Sequence, residues 1–183
     1  MEQIDDEQLV AMLRSPIQRD RGYRLLLGKY GSRLYWHIRR IVVGHEDAED
    51  VMQETAINIL AGIDKFEQKS SLSTWVYRIA TNEALRLLRR RTGFLQSIDS
   101  LGEVLVEKLE DEAGMDADAA EVLFQKALLQ LPTQQRLAFN LRYYDEMPYE
   151  EIAKVTGKNV NTLKTNYHFA VNKIKNYLKE HSL

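Results

Sequence analysis

The sequence predicts an all-helical chain: two small domains joined by a flexible acidic linker, the second ending in a helix-turn-helix. Three observations carry this. Apolar residues recur at spacings of three and four along most of the 183 residues; there are only three prolines and nine glycines; and the composition changes abruptly between Gly93 and Ala120. Formal net charge is -2, which argues against a uniformly basic coat but permits segregated patches. The absence of cysteine excludes disulfides and thiolate metal sites. The acidic, polar N-terminus and the lack of an apolar run of membrane length lead us to expect a soluble, cytoplasmic protein.

Asp5 or Asp6 can cap a short first helix carrying Leu9, Val10, Met12 and Leu13. Pro16 suits the start of the next, which should run with interruptions at Gly22, Gly28 and Gly31 as far as Ile41. Between Glu46 and Ile63, residues Val51, Ala56, Ile59, Leu60 and Ile63 supply a buried stripe. Asp47, Asp50, Gln53 and Glu54 fall to one side, an acidic face able to meet a basic partner. A metal site built from His45 and these carboxylates is the weaker reading, because acids near a helix N-terminus complement its dipole.

After a lapse from Asp64 to Ser71, a helix opening near Ser73 and Thr74 should bury Leu72, Val76, Ile79, Ala80, Leu87 and Leu88. Trp75, Tyr77, Arg78, Thr81, Asn82 and Arg86 surround that stripe, and Arg89, Arg90 and Arg91 end it. Basic residues suit a helix C-terminus on dipole grounds alone. Aromatic rings, amides and arginines together also suit melted DNA, whose bases stack and whose phosphates attract guanidinium groups. Residues 93–118 set eight carboxylates against Lys108, which reads as the flexible linker. The domains are then expected at 1–92 and 119–183.

In the second domain, Leu123, Phe124, Ala127, Leu128 and Leu131 form one amphipathic helix; Pro132 opens another through Leu137, Ala138, Leu141 and Tyr144. The last stretch, Tyr149 to Lys175, carries a short helix, a break at Gly157, Asn159 as a cap, and a second helix with the seam Val160, Leu163, Tyr167, Ala170 and Ile174. Its outer face presents Asn161, Thr162, Lys164, Thr165, Asn166 and His168, and no carboxylate occurs from Ile152 to Lys179. That pattern is a DNA-binding helix-turn-helix, against a hairpin whose lysines are merely solvated.

Three motifs in order, DAEDVMQE at Asp47–Glu54, STWVYRIATNEALRLLRRR at Ser73–Arg91 and the Leu131–Val171 segment, resemble the extracytoplasmic-function (ECF) group of the sigma-70 family of RNA polymerase sigma factors. The resemblance implies that Asp47, Asp50, Gln53 and Glu54 face core RNA polymerase. It places Trp75, Tyr77, Arg78 and Asn82 near the −10 promoter strand, with Arg89, Arg90 and Arg91 on its phosphates, and lets the Lys65–Leu72 loop hold a flipped base. It sends Asn161, Thr162, Lys164, Thr165 and His168 into the −35 major groove. It further implies promoter DNA and an anti-sigma factor as partners. No nucleophile–base pair, phosphate-binding glycine loop or convergent metal cluster is visible in the sequence and the four histidines are scattered, so no cofactor, metal or catalytic step is expected. Thr81 and Arg86 stand where many relatives have Arg and Asp, and the Arg pair many carry around Asn166 and Phe169 is absent, which points to a different promoter sequence. The alternative is a dimeric helix-turn-helix regulator acting without polymerase. Should the acidic linker fold the domains together against their basic helices, both DNA faces would be hidden.

Overall fold

The computed structural model describes residues 4–93, 98–114 and 117–181. Ten α-helices and no strand occur among them: α1 Asp6–Arg14, α2 Arg19–Leu26, α3 Ser32–Val42, α4 His45–Gly62, α5 Leu72–Thr92, α6 Gly102–Ala113, α7 Ala119–Leu129, α8 Thr133–Tyr143, α9 Tyr149–Thr156 and α10 Val160–His181. The all-helical expectation holds.

Local chemistry sets the ends of these helices. Asp5 caps α1, its carboxylate accepting the Gln8 amide at 2.7 Å. The helix expected to continue through the glycines does so by a π-helical turn over Leu27–Gly31, where wide backbone geometry costs least beside residues without a Cβ. Ser71, two residues before the expected pair, caps α5 by accepting the Thr74 amide at 3.1 Å. Asn159 accepts the Thr162 amide at 2.8 Å and starts α10. Gly157 occupies the left-handed region at φ 72°, a conformation that strains any side chain with a Cβ.

Two cores result. The smaller gathers Ala127, Leu128, Leu131 and Phe139 against Ala170 and Ile174. The larger joins Leu34, Ile38, Ile59, Val76, Tyr77 and Ala80 to Leu137, Leu141, Ile152, Val155 and Leu163, so it crosses from the first half of the chain into the second. Helix α9 packs on α5, and α8 on α3.

The stretch expected to be a flexible linker is structured where it is described; residues 94–97 and 115–116 lie outside the described residues. Leu101 and Leu105 enter the larger core, with Val106 and Leu109 packed against it. The carboxylates find cations: Glu112 meets Arg39 at 2.6 Å, Glu110 pairs with Lys126, and Asp99 accepts the Thr133 amide at 2.7 Å. Judged alone the segment is too polar to fold; both halves of the chain supply the surface and charge it lacks.

A polar cluster lies inside the junction of the halves. Asp145, in the turn before α9, accepts hydrogen bonds from the Tyr77 hydroxyl at 3.0 Å and Arg40 at 3.1 Å, and its second oxygen lies 3.3 Å from His37 Nδ1. His37 is fully buried and its Nε2 lies 2.7 Å from the Thr81 hydroxyl. That hydroxyl donates to the Tyr77 carbonyl, so Nε2–H is the donor to Thr81. Burial pushes the Asp145 carboxyl up, but the adjoining His37, Arg40 and Tyr77 outweigh it and hold it below the usual range. A carboxyl depressed in the folded state stabilises above its unfolded pKa, and that contribution disappears as pH falls through the folded value. The urea midpoint of the wild-type protein is therefore expected to fall more steeply between neutral and strongly acid pH than that of Asp145→Asn; parallel curves would show that this carboxyl does not titrate with unfolding.

Candidate nucleic-acid interface

Two surfaces carry the polar residues singled out by sequence, and the first lies on α10. Leu163, Ala170 and Ile174 are buried and Val160 and Tyr167 half-buried, so the seam fixes the helix's rotation. That rotation exposes Asn161, Thr162, Lys164, Thr165 and His168 within the first turns of the helix. Asn159, Asn161, Thr162, Thr165 and Asn166 line a shallow depression at the helix N-terminus, where free amides and the dipole favour anions. Lys164 lies 5.9 Å from the Tyr149 ring centroid and Arg142 5.1 Å from it, two cations gathered at the rim.

The second surface spans α4 and α5. Arg78, Asn82, Arg86 and Arg89 are exposed at near four-residue intervals along α5, one continuous polar stripe. Trp75 is half-buried and stacks on Phe66, with ring centroids 4.8 Å apart. This stack, with Arg14 bonded to the Ile63 and Phe66 carbonyls, fixes the loop before α5. Asp6, Glu7, Phe66, Gln68 and Ser70 border a cavity of about 140 Å³ there. Asp50, Gln53 and Glu54 are exposed on α4, with Glu54 3.8 Å from Arg86 and Arg90 alongside.

Three residues sit elsewhere than expected. Tyr77 is fully buried against His37, and burial, then the Asp145 charge, push its hydroxyl above the ordinary phenol range, so it remains a donor to Asp145. It reaches no solvent. Asp47 is buried and pairs with Arg91 and, at 2.5 Å, with Lys108. Arg91 is consequently turned toward α4 rather than outward with Arg89 and Arg90. Helical periodicity alone could not place these side chains, because the groups that cover them come from α6 and the turn before α9. For the same reason Asp145, His37, Arg40 and Lys108 carried no signal.

Two exposed polar helix faces, one following a tight glycine turn and one rich in arginine and aromatic groups, define a helical DNA-binding protein. Comparison with known families narrows this. Residues 26–94 match Sigma-70 region 2 and residues 121–174 match Sigma-70, region 4. The chain is 30% identical over 172 residues to the RNA polymerase sigma-H factor of Pseudomonas aeruginosa, covering 89% of this chain and 88% of that one. It is 26% identical over 161 residues to the ECF RNA polymerase sigma factor SigW of Bacillus subtilis, covering 82% and 86%. Among solved structures, the sigma factor RpoE in complex with the anti-sigma factor NepR from Bartonella quintana matches with a TM-score of 0.67 at 25% identity, over 86% of this chain and 96% of that one. CnrH in complex with the cytosolic domain of CnrY shares the fold, at TM-score 0.71 and 22% identity over 97% and 99%. The chain belongs to the ECF group of the sigma-70 family of RNA polymerase sigma factors.

Proposed function

We propose that this chain binds core RNA polymerase and directs it to promoters, reading a −35 element with α10 and a −10 element with the α4–α5 unit. The observation that carries the reading is the order on one chain of a region 2 match and a region 4 match, each containing one of the exposed polar faces. Residues 1–92 and 119–183 are the two functional domains in this proposal, with 93–118 between them. Asp50, Gln53 and Glu54 form the accessible polymerase-facing edge; Asp47 joins them once its partners let go.

At the −35 element, Asn161, Thr162, Thr165 and His168 present donors and acceptors to the major groove and Lys164 meets a phosphate. At the −10 element, Arg78, Asn82, Arg89 and Arg90 follow the separated strand, Trp75 offers a stacking surface, and the loop cavity beside Phe66 receives an extruded base. Unstacking a base costs a few kcal/mol, roughly what one or two aromatic stacks return. The work is binding throughout, with no covalent step assigned to the chain. Among the described residues no helix is long and apolar enough to cross a membrane. The anti-sigma complex of the RpoE relative supports a partner of that kind here also.

Run-off transcription with core polymerase from the source organism tests the proposal: discrete starts should appear only when the protein is added. Tight binding to a palindromic duplex without polymerase, and no specific starts, would favour the dimeric regulator. The −35 assignment has its own signature. Lys164→Ala should weaken binding to all duplexes alike and lower the salt slope of log K by about 1, as loss of one phosphate contact does. A slope identical to wild type would remove Lys164 from the interface.

A further inference from the structure

We infer that the chain carries a binding site for a small organic monocarboxylate, in a cavity between α3, α6, α7 and α8 that is lined by the buried guanidinium of Arg136. The cavity has a volume of about 320 Å³, at the small end of the range that ligand pockets occupy. Arg136 lies on α8 and is only 4% exposed. No hydrogen bond or ion pair within the described residues engages its side chain. Burial pulls its pKa down to about 10, partly offset by the Asp99 charge, so it is still a cation at neutral pH. Asp99 gives it no direct partner, because that carboxylate accepts the Thr133 amide at 2.7 Å and the Thr133 hydroxyl at 2.6 Å. Arginine is almost never this buried without a counter-charge, and desolvating it unpaired is costly. An anion entering the cavity would recover that cost.

The charge of the lining selects a monoanion. Arg39 and Arg40 also border the cavity, but each already has its carboxylate: Glu112 meets Arg39 at 2.6 Å and Asp145 meets Arg40 at 3.1 Å. The Arg40 guanidinium carbon in addition lies 4.5 Å from the Tyr144 ring centroid. One positive charge, that of Arg136, is left over. A dianion such as phosphate would bring a second negative charge that nothing inside meets, and Glu121 at the exposed rim would oppose it further. A carboxylate also suits the donor, since its two oxygens match the parallel N–H groups of a planar guanidinium.

The rest of the lining selects an apolar, flat body for that carboxylate. Val43, Leu109, Leu128 and Leu129 supply aliphatic walls, and the Trp36 ring, 54% exposed, stands beside them as a stacking surface open to solvent. Val43 enters the wall from a backbone at φ 68°, a conformation that β-branched residues rarely adopt and that collects at ligand sites. None of these residues belongs to the faces assigned to polymerase or to DNA, so the site is additional to them.

Calorimetric titration of the protein with sodium benzoate at constant ionic strength tests the site. Benzamide, uncharged with the same outline, and inorganic phosphate, charged without an apolar body, are the comparisons. Benzoate should saturate at one per chain and raise the melting temperature as its concentration rises, and the other two should do neither. Arg136→Met keeps the length and removes the charge, so benzoate affinity should fall about tenfold or more, as loss of hydrogen bonds to a charged group does. Without benzoate the same variant should melt no lower than wild type, because a buried unpaired cation has gone. Leu109→Trp leaves Arg136 in place and fills the cavity, and should abolish benzoate binding by itself. Lack of saturable benzoate binding, or equal binding of benzamide, overturns the site, and phosphate binding tighter than benzoate overturns its assignment to a monocarboxylate. A clear fall in the melting temperature of Arg136→Met would give the guanidinium to the fold rather than to a ligand, and benzoate retained by Leu109→Trp would place it elsewhere on the surface; either result also overturns the site.

Discussion

Replacing Asp50 by lysine is expected to abolish promoter-specific initiation while leaving the fold and melting temperature unchanged. Asp50 is exposed on α4, and no hydrogen bond or ion pair within the described residues holds it. Reversal therefore costs the free protein almost nothing. Against a basic polymerase surface it replaces attraction by repulsion, and like-charge juxtaposition across an interface costs several kcal/mol, so core affinity should fall about a hundredfold or more. Native gel shift with core enzyme measures that loss directly, and run-off should fall in parallel. Gln53→Ala, which removes only an amide, should lose about tenfold or less. Full initiation by Asp50→Lys would take α4 out of the polymerase contact altogether. Asp47→Lys gives no such clean result, because Asp47 is buried between Arg91 and Lys108 and its reversal also breaks both of those pairs.

That contrast between Asp47 and Asp50 shows where sequence reasoning reaches its limit. Both belong to one acidic stretch, three residues apart, and periodicity puts them on neighbouring positions of one face. What separates them is Lys108, 61 residues downstream of Asp47. Features fixed within one or two turns were legible: the α10 seam, the Asn159 cap, the Gly157 turn and the Asp5 cap all follow from short-range chemistry. The acidic segment reads as a linker when its few leucines are set only against its own charges. Leu101 and Leu105 meet a core that the remainder of the chain builds. Tyr77 escapes a periodicity argument for the same reason. It lies between the core residue Val76 and the exposed Arg78, and only the C-terminal half decides that it is covered. The polar faces were legible as faces; which of their members are free was a property of the assembled chain.

Leu141→Ala is the substitution expected to cost most in stability, and its unfolding profile tests whether the two halves fold as one unit. Leu141 is fully buried in α8 and belongs to the larger core with Val76 and Ala80, whereas Phe139 on the same helix enters the smaller one. Truncating a fully buried leucine removes its transfer free energy and leaves a cavity, together about 2–5 kcal/mol. For a chain of this size each kcal/mol lowers the melting temperature by about 2–4 °C, so a fall of about 10 °C is expected. If the larger core is continuous, calorimetry should show one transition, moved as a whole. Independent halves would give two, with only the C-terminal one displaced. The comparison with Ile174→Ala sharpens this, since Ile174 lies in the smaller core beside Ala170 and away from the junction. A leucine to alanine change that moves the entire transition, paired with an isoleucine to alanine change that moves it less, would locate the cooperative unit across the junction.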